Sequence, residues 1–400
     1  MSFDWSSVFA GRAARMGASE IRELLKVLEE PDVISFAGGI PDPELFPIEA
    51  FKTAYNEALS TKDSASRALQ YSVSEGAPEL KRWIASYMGS RAMPCGPENI
   101  LITCGSQQGL EFLGRIMLSP GDRALVAWPT YLGALQAFNA YEPEYARLGV
   151  RDNAPANERP VEGEKAKFAY IVPDFDNPTG RTLSIDERKR VLERAKESGG
   201  AVIEDAAYTE LRYEGEAMPS LLALDMQTQG SINQSRVIYC GTFSKTLSPG
   251  LRVGWIAASA SLIDKLVLVK QASDLHSPTL NQMAVAAVAE TNFNAQLDKI
   301  RNAYRIRRDA MLSALSRHMP EGFSWSRPEG GMFVWVEGPR GMNGRALLQR
   351  AVKREKVAFV PGQAFFADGS GQECMRLSFS LANPDEIEEG VLRLARAIPE

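Results

Sequence analysis

Six short apolar runs punctuate the middle of the chain: ILIT (100–103), RALVAW (123–128), FAYIV (168–172), AVIE (201–204), RVIYC (236–240) and VGWIAA (253–258). Helical patterns fill the intervals between them. Short apolar runs suit strands covered on both faces, and strands separated by helices suit a mostly parallel sheet, since a parallel neighbour needs a crossover connection. The spacing therefore predicts an α/β domain with helices on both faces of its sheet. Ahead of it, Ser19–Glu30 (SEIRELLKVLEE) places Ile21, Leu24, Leu25 and Leu28 at a helical period before Pro31-Asp32 stops it, and a connector AGGIPDPELFP follows. From about Ala295 a long charged helical stretch leads into GGMFVWVE, VAFVP and MRLSFS, which reads as a smaller α+β module. The expected divisions are 1–50, a helix and connector contributing to the smaller domain, 51–294, the large domain, and 295–400, the small domain.

With 400 residues, 44% of them hydrophobic, the chain can bury a large core and exceeds the usual size of one domain. A formal charge of −5 gives no electrostatic support to a nucleic-acid or anionic-membrane partner. The start, MSFDWSSVFAGRAARMG, holds no apolar core of signal-peptide length, and no stretch reaches transmembrane length, so a cytoplasmic protein is expected. Cys95, Cys104, Cys240 and Cys374 are scattered, and with only His276 and His318 a His-built metal site or a Ser-His-Asp arrangement is hard to assemble. A small soluble ligand and chemistry on other groups are the expectation.

Open α/β sheets collect ligand groups at the carboxyl ends of their strands, so the turns there carry the most information. After ILIT, Cys104-Gly105-Ser106-Gln107-Gln108-Gly109 opens a helix whose N–H groups suit a phosphate, although an ordinary cap by Ser106 would look the same. After AVIE comes Asp205, a carboxylate at a buried strand end that needs a cationic partner: a protonated pyridine nitrogen, a structural arginine or a helix terminus. After RVIYC comes Gly241-Thr242-Phe243-Ser244-Lys245, then Arg252. A lysine hemmed by apolar neighbours loses its proton readily and becomes the nucleophile a Schiff base requires, while Thr242, Ser244 and Arg252 could meet a phosphate. One ligand would use all three turns. Pyridoxal phosphate has an aldehyde for Lys245, a pyridinium for Asp205 and a phosphate for Ser106, Ser244 and Arg252. Asn177 in DFDNPTG and Tyr208 could reach its phenolic oxygen, and Tyr131 could stack on its ring.

The ordered series ASEIRELLKV, SFAGGIPDPELFP, LQYSVSEGAPELKRWI, ITCGSQQGLE, DFDNPTG, EDAAYTELRY, GTFSKTLSPGLRVGW, LHSPTLNQM, RPEGGMFVW, VAFVPGQAFF and MRLSFS runs nearly end to end. It resembles fold-type I pyridoxal-phosphate aminotransferases of class I/II, and within them the branch holding 2-aminoadipate and kynurenine/2-aminoadipate aminotransferases. The resemblance implies a large domain with a mostly parallel seven-stranded sheet sandwiched by helices, plus a smaller α+β domain. It implies Lys245 as the Schiff-base lysine, with Asp205 and Tyr208 beside it in catalysis. Ser106, Gln107, Thr242, Ser244 and Arg252 would surround the phosphate, Asn177 and Tyr208 would reach the phenolic oxygen, and Tyr131 would stack on the ring. Tyr71 would cross the interface of a homodimer to the partner's phosphate. Arg376 would clamp the substrate α-carboxylate, with Asn177 nearby, and Gly39 and Arg22 would line the side-chain end. Thr242 departs from the serine common in relatives but keeps the hydroxyl. The implied activity is ping-pong transfer of an amino group from a 2-aminoadipate-like, aromatic or large aliphatic L-amino acid to a 2-oxo acid such as 2-oxoglutarate, with freed Lys245 as general base and acid. A β-lyase or decarboxylase on the same scaffold is the alternative. The aminotransferase-like sensor of a transcription regulator is disfavoured by the acidic charge and by the absence of a basic recognition helix ahead of the match.

Overall fold

The computed structural model describes residues 3–16, 32–150 and 165–398, so the expected first helix, Arg22 included, lies outside the described residues. The strands, in chain order, are β1 (Ile34–Ser35), β2 (Ile100–Thr103), β3 (Arg123–Val126), β4 (Glu144–Arg147), β5 (Phe168–Ile171), β6 (Ala201–Asp205), β7 (Val237–Thr242), β8 (Gly254–Ala257), β9 (Ser324–Trp325), β10 (Phe333–Glu337), β11 (Val357–Ala358), β12 (Val360–Pro361) and β13 (Cys374–Ser378). Seven of them form one sheet in the order β2-β8-β7-β6-β5-β3-β4. All of its pairings are parallel except those of β8, which runs antiparallel to both β2 and β7.

Both faces of this sheet are dry, and the alternation along each strand shows it. Phe168 and Tyr170 of β5, Ile203 of β6 and Ile238 and Cys240 of β7 enter one hydrophobic core. Ala169 and Ile171, Val202, and Val237 and Tyr239 enter the other. With a period of two, neighbouring residues point to opposite faces, and both must be apolar where helices cover both. Full burial of each large apolar side chain contributes about 1.5–3 kcal/mol over exposure, so the strand ends are held on a stiff platform. The six apolar runs read from the sequence all became strands of this sheet. The seventh, β4, has the sequence EYAR and lies at the sheet edge with Glu144 exposed, which is why no apolar run announces it.

The second part of the fold is an antiparallel sheet, β12-β13-β10-β9, and a short parallel pair, β1 with β11. That pair ties the segment after residue 32 to the C-terminal third of the chain, in register Ile34 with Val357 and Ser35 with Ala358. The long charged helix expected from about residue 295 instead begins at Thr279 and runs unbroken to His318. Its first half buries Met283, Ala284, Val285, Val288 and Phe293, most of them in the core of the large sheet, so it carries no charged pattern to be read. Residue 295 lies inside this helix.

Candidate active site

Because β8 is the one reversed strand, the carboxyl ends of β2, β6 and β7 meet the start of β8 at one edge: Thr103 and Thr242 both pair with Gly254. The turn after β2 passes through Gly105 at φ +78°, and the helix Ser106–Met117 starts there. That left-handed φ favours glycine, and a Cβ there would stand 2.4 Å from Arg252 Nη2 and push the guanidinium from its place. Ser106 is the first helical residue rather than the cap, and no side chain caps this helix. The ordinary-cap alternative therefore fails, and the first-turn N–H groups face the turn of β7 with the positive end of the helix dipole behind them.

Opposite that turn, the Thr242 hydroxyl donates to Ser244 Oγ at 2.9 Å and accepts the Ser244 N–H at 3.1 Å. Arg252, itself at φ +53°, donates to the carbonyls of Pro249 at 3.1 Å and Cys104 at 3.3 Å. Gln107 Nε2 donates to the Gly133 carbonyl at 2.6 Å. These groups form a cationic, N–H-lined cradle.

Beyond the cradle lies a buried floor. Asp205, 3% exposed, accepts the Tyr170 hydroxyl on Oδ2 at 2.8 Å, while Oδ1 is buried without any hydrogen-bond partner. Burial pushes its carboxyl up to about 6, against hydrogen bonds from Tyr170 and the Ala207 N–H. Among the described residues no arginine or helix terminus completes it, so the structural alternatives for this carboxylate are not met. Lys245 Nζ donates to the Gly39 carbonyl at 3.0 Å and lies 6.0 Å from the Tyr208 ring centre. Burial, with Arg376 and Arg252 adding to it and Asp205 opposing, lowers the amine to about 8. The neutral form a nucleophilic lysine requires is thus far more accessible near neutral pH than for a solvated lysine.

Arg376 is 1% exposed, which excludes a surface role. Its Nη1 donates to Asn177 Oδ1 at 2.7 Å and its Nη2 to the Ala37 carbonyl at 2.6 Å, while its Nε has no partner. Its guanidinium lies 4.2 Å from the Phe333 ring centre and 5.1 Å from that of Phe365. Asn177 Nδ2 donates to the Tyr208 hydroxyl at 3.2 Å. Burial raises Tyr208 well out of the physiological range and Tyr131 to about 12, so both phenols are protonated. Tyr131 sits over Gly133, where a Cβ would stand 2.5 Å from its ring. At Gly39 a Cβ would stand 2.6 Å from the Phe333 ring, so the strap that reaches Lys245 must be glycine there.

Lys245, Asp205, Asn177, Tyr208, Tyr131, Gly39 and Arg376 are therefore linked in one cluster, with Arg252 of the cradle close enough to act on the Lys245 and Tyr131 charges. Tyr71 is not among them. It is 78% exposed on the outer surface, its ring 6.0 Å from that of His276. Tyr170, Ala37, Phe333 and Phe365 were missed from the sequence. Tyr170 was detectable only through register: it pairs with Ile203, two residues before Asp205, and so shares its face.

The bare buried Asp205 Oδ1 asks for a proton donor, the uncapped helix start with Arg252 asks for an anion, and the lysine, its amine lowered to about 8, asks for a carbonyl. An α/β sheet edge presenting those three demands defines a pyridoxal-phosphate enzyme, and the residues present fit that cofactor. The sequence profile of class I and II aminotransferases matches residues 31–394, and the chain belongs to that family. It is similar to the 2-aminoadipate transaminase of Thermus thermophilus, 44% identical over 98% of this chain and 97% of the relative. It is similar also to aromatic-amino-acid aminotransferase 1 of Thermococcus litoralis, 42% identical over 100% of this chain and 96% of the relative. The crystal structure of the α-aminoadipate aminotransferase of Thermus thermophilus, complexed with N-(5'-phosphopyridoxyl)-L-leucine, superposes with a TM-score of 0.89 at 42% identity, covering 99% of this chain and 98% of that one. The chain is a pyridoxal 5'-phosphate-dependent aminotransferase. Among the described residues no helix is long and apolar enough to cross a membrane, and no cluster could hold a metal ion.

Proposed function

We propose that the protein moves the amino group of a 2-aminoadipate-like, aromatic or large aliphatic L-amino acid to a 2-oxo acid such as 2-oxoglutarate in two half-reactions, as a cytoplasmic homodimer. The bare, buried Asp205 Oδ1 beside the lowered Lys245 amine carries this reading. The named activities and bound ligand of the relatives support the range of donors.

In this reading Ser106, Gln107, Thr242, Ser244 and Arg252 bind the cofactor phosphate through N–H groups, hydroxyls and one guanidinium. Tyr131 covers one ring face, and Asn177 and Tyr208 donate to the phenolic oxygen. Asp205 Oδ1 holds a proton on the ring nitrogen, with Tyr170 fixing which oxygen faces it. The bound cofactor supplies an electron sink for the charge left when a bond to the substrate Cα breaks. Lys245 would hold the cofactor at its aldehyde carbon, and when free its Nζ takes, holds and returns the substrate Cα proton. Arg376, buried and with an unused Nε–H, orients the α-carboxylate. Gly39, packed on the Phe333 ring, and Arg22 are proposed to line the side-chain end of the substrate, Arg22 meeting a distal carboxylate. Tyr71, exposed beside the exposed Leu69 and Val73, serves the partner's cradle, and the four free cysteines suit a reducing compartment.

The test is to mix coloured holoprotein with a panel of amino acids. The expected result is loss of the aldehyde absorbance band, gain of the pyridoxamine band and one mole of 2-oxo acid per mole of site, reversed by 2-oxoglutarate. Release of ammonia or carbon dioxide in place of that stoichiometric exchange would overturn the reading.

A further inference from the structure

An ion pair between buried Lys270 and half-buried Asp274 stands behind the cradle and has no part in the groups assigned above. Lys270 is 0% exposed, at the end of the helix Ala260–Gln271. Its Nζ donates to both oxygens of Asp274 at 3.0 Å and to Gln108 Oε1 at 3.1 Å. Gln108 Nε2 donates to Asp274 Oδ2 at 2.8 Å. The same Gln108 Oε1 accepts the backbone N–H of Cys104 at 2.8 Å, and the Cys104 thiol donates to Asp274 Oδ2 at 3.3 Å. Cys104 immediately precedes the Gly105-Ser106 turn, and its carbonyl in turn accepts from Arg252.

The contacts of this cluster converge on one residue of the cradle. Burying a lysine and an aspartate together is a poor source of stability, because apolar side chains of the same volume serve as well or better. What such a pair offers is fixed geometry. Burial pushes the Asp274 carboxyl up, but hydrogen bonds from Gln108 and Lys270 and the Lys270 charge outweigh it, so the carboxyl lies below its ordinary range and is ionised.

We propose that Lys270, Asp274 and Gln108 are positioning residues for the cofactor phosphate: they lock the backbone of Cys104 so that the helix start at Ser106 and the guanidinium of Arg252 converge on one anion. The proposal rests on the reading of the cradle as the phosphate site. It implies that the triad acts on the phosphate end of the ligand and leaves the ring end alone.

Two variants decide it. Gln108→Ala cuts the link to Cys104 and keeps the ion pair, whereas Lys270→Met removes the charge itself. Cofactor is stripped from wild type and variants, and dissociation constants for pyridoxal phosphate and for pyridoxal lacking the phosphate are measured by fluorescence quenching. Gln108→Ala is expected to weaken pyridoxal phosphate ~tenfold, the scale of one net hydrogen bond, and to leave pyridoxal within about twofold. Lys270→Met loses at least as much. Equal losses for both ligands, or no loss for either, overturn the proposal. If Lys270→Met does not fold, Gln108→Ala alone is decisive. A wild type that binds the two ligands equally well would instead remove the cradle reading, and the triad with it.

Discussion

The cradle and the floor of the site are built on opposite terms. In the cradle, Thr242 bonds to Ser244, Arg252 bonds to the Pro249 and Cys104 carbonyls, and Gln107 bonds to Gly133, so the named side chains are satisfied from within. On the floor, Asp205 Oδ1 and Arg376 Nε are buried and unpaired, and burial drives both Asp205 and Lys245 toward their neutral forms. Buried polar atoms are usually paired, and an exception marks either strain or a missing ligand. The cradle thus keeps its shape without a ligand, braced from behind by the Gln108 contact to Cys104, while the floor is unfavourable until a ligand completes it.

The sharpest way to break this contrast is at the amine. Lys245→Ala is expected to lower turnover by at least about 10⁴-fold and to abolish the yellow colour of bound aldehyde, because among the described residues no other lysine lies on this floor to act as nucleophile and base. Measurable turnover within tenfold of wild type would remove the floor from the chemistry.

Next in size is Asp205→Asn, expected to reduce kcat by about 10³-fold yet to stabilise the cofactor-free protein. The sign follows from the raised carboxyl. Its pKa moves from the ordinary 3.8 to about 6, so between those values the folded chain holds a proton that the unfolded chain has released. Stability therefore falls as pH rises from about 4 to about 6, and the penalty is fully present above that window. Asn removes it. Scanning calorimetry of the cofactor-free proteins should show the variant melting a few degrees higher at about pH 7.5 and level with wild type near pH 4. A variant that melts lower at both pH values would mean that the floor is not strained.

The smallest effect belongs to the cradle. With several donors sharing one anion, Ser106→Ala should weaken cofactor affinity only about threefold and leave the melting temperature of the cofactor-free protein unchanged. A loss of a hundredfold or more would show that a single hydroxyl dominates and that the cradle is not the self-supporting end.

Strands legible in the sequence are those buried on both faces: β2 and β5 follow ILIT and FAYIV almost residue for residue. The edge strand β4 escaped because one exposed side needs no apolar run, and the reversal of β8 escaped because VGWIAA reads alike in either direction. In the site, residues at strand ends and in turns stood out, since Asp205 and Lys245 are charges where burial makes charge costly. Tyr170 did not, because an aromatic inside a strand looks like core until register places its hydroxyl against Asp205. The Lys270–Asp274 pair was hidden for a different reason: an i,i+4 pair of opposite charge ordinarily decorates a solvated helix face.

The helix Thr279–His318 is the chain's link from the large sheet to the smaller antiparallel one. Its 40 residues, at about 1.5 Å each, make a rod about 60 Å long. It is packed near its start against the helices Ile48–Leu59 and Pro78–Gly89 and farther along against Pro384–Ala397. The sheet that carries Arg376 is joined to the sheet that carries Lys245 through this beam rather than through a slack connector.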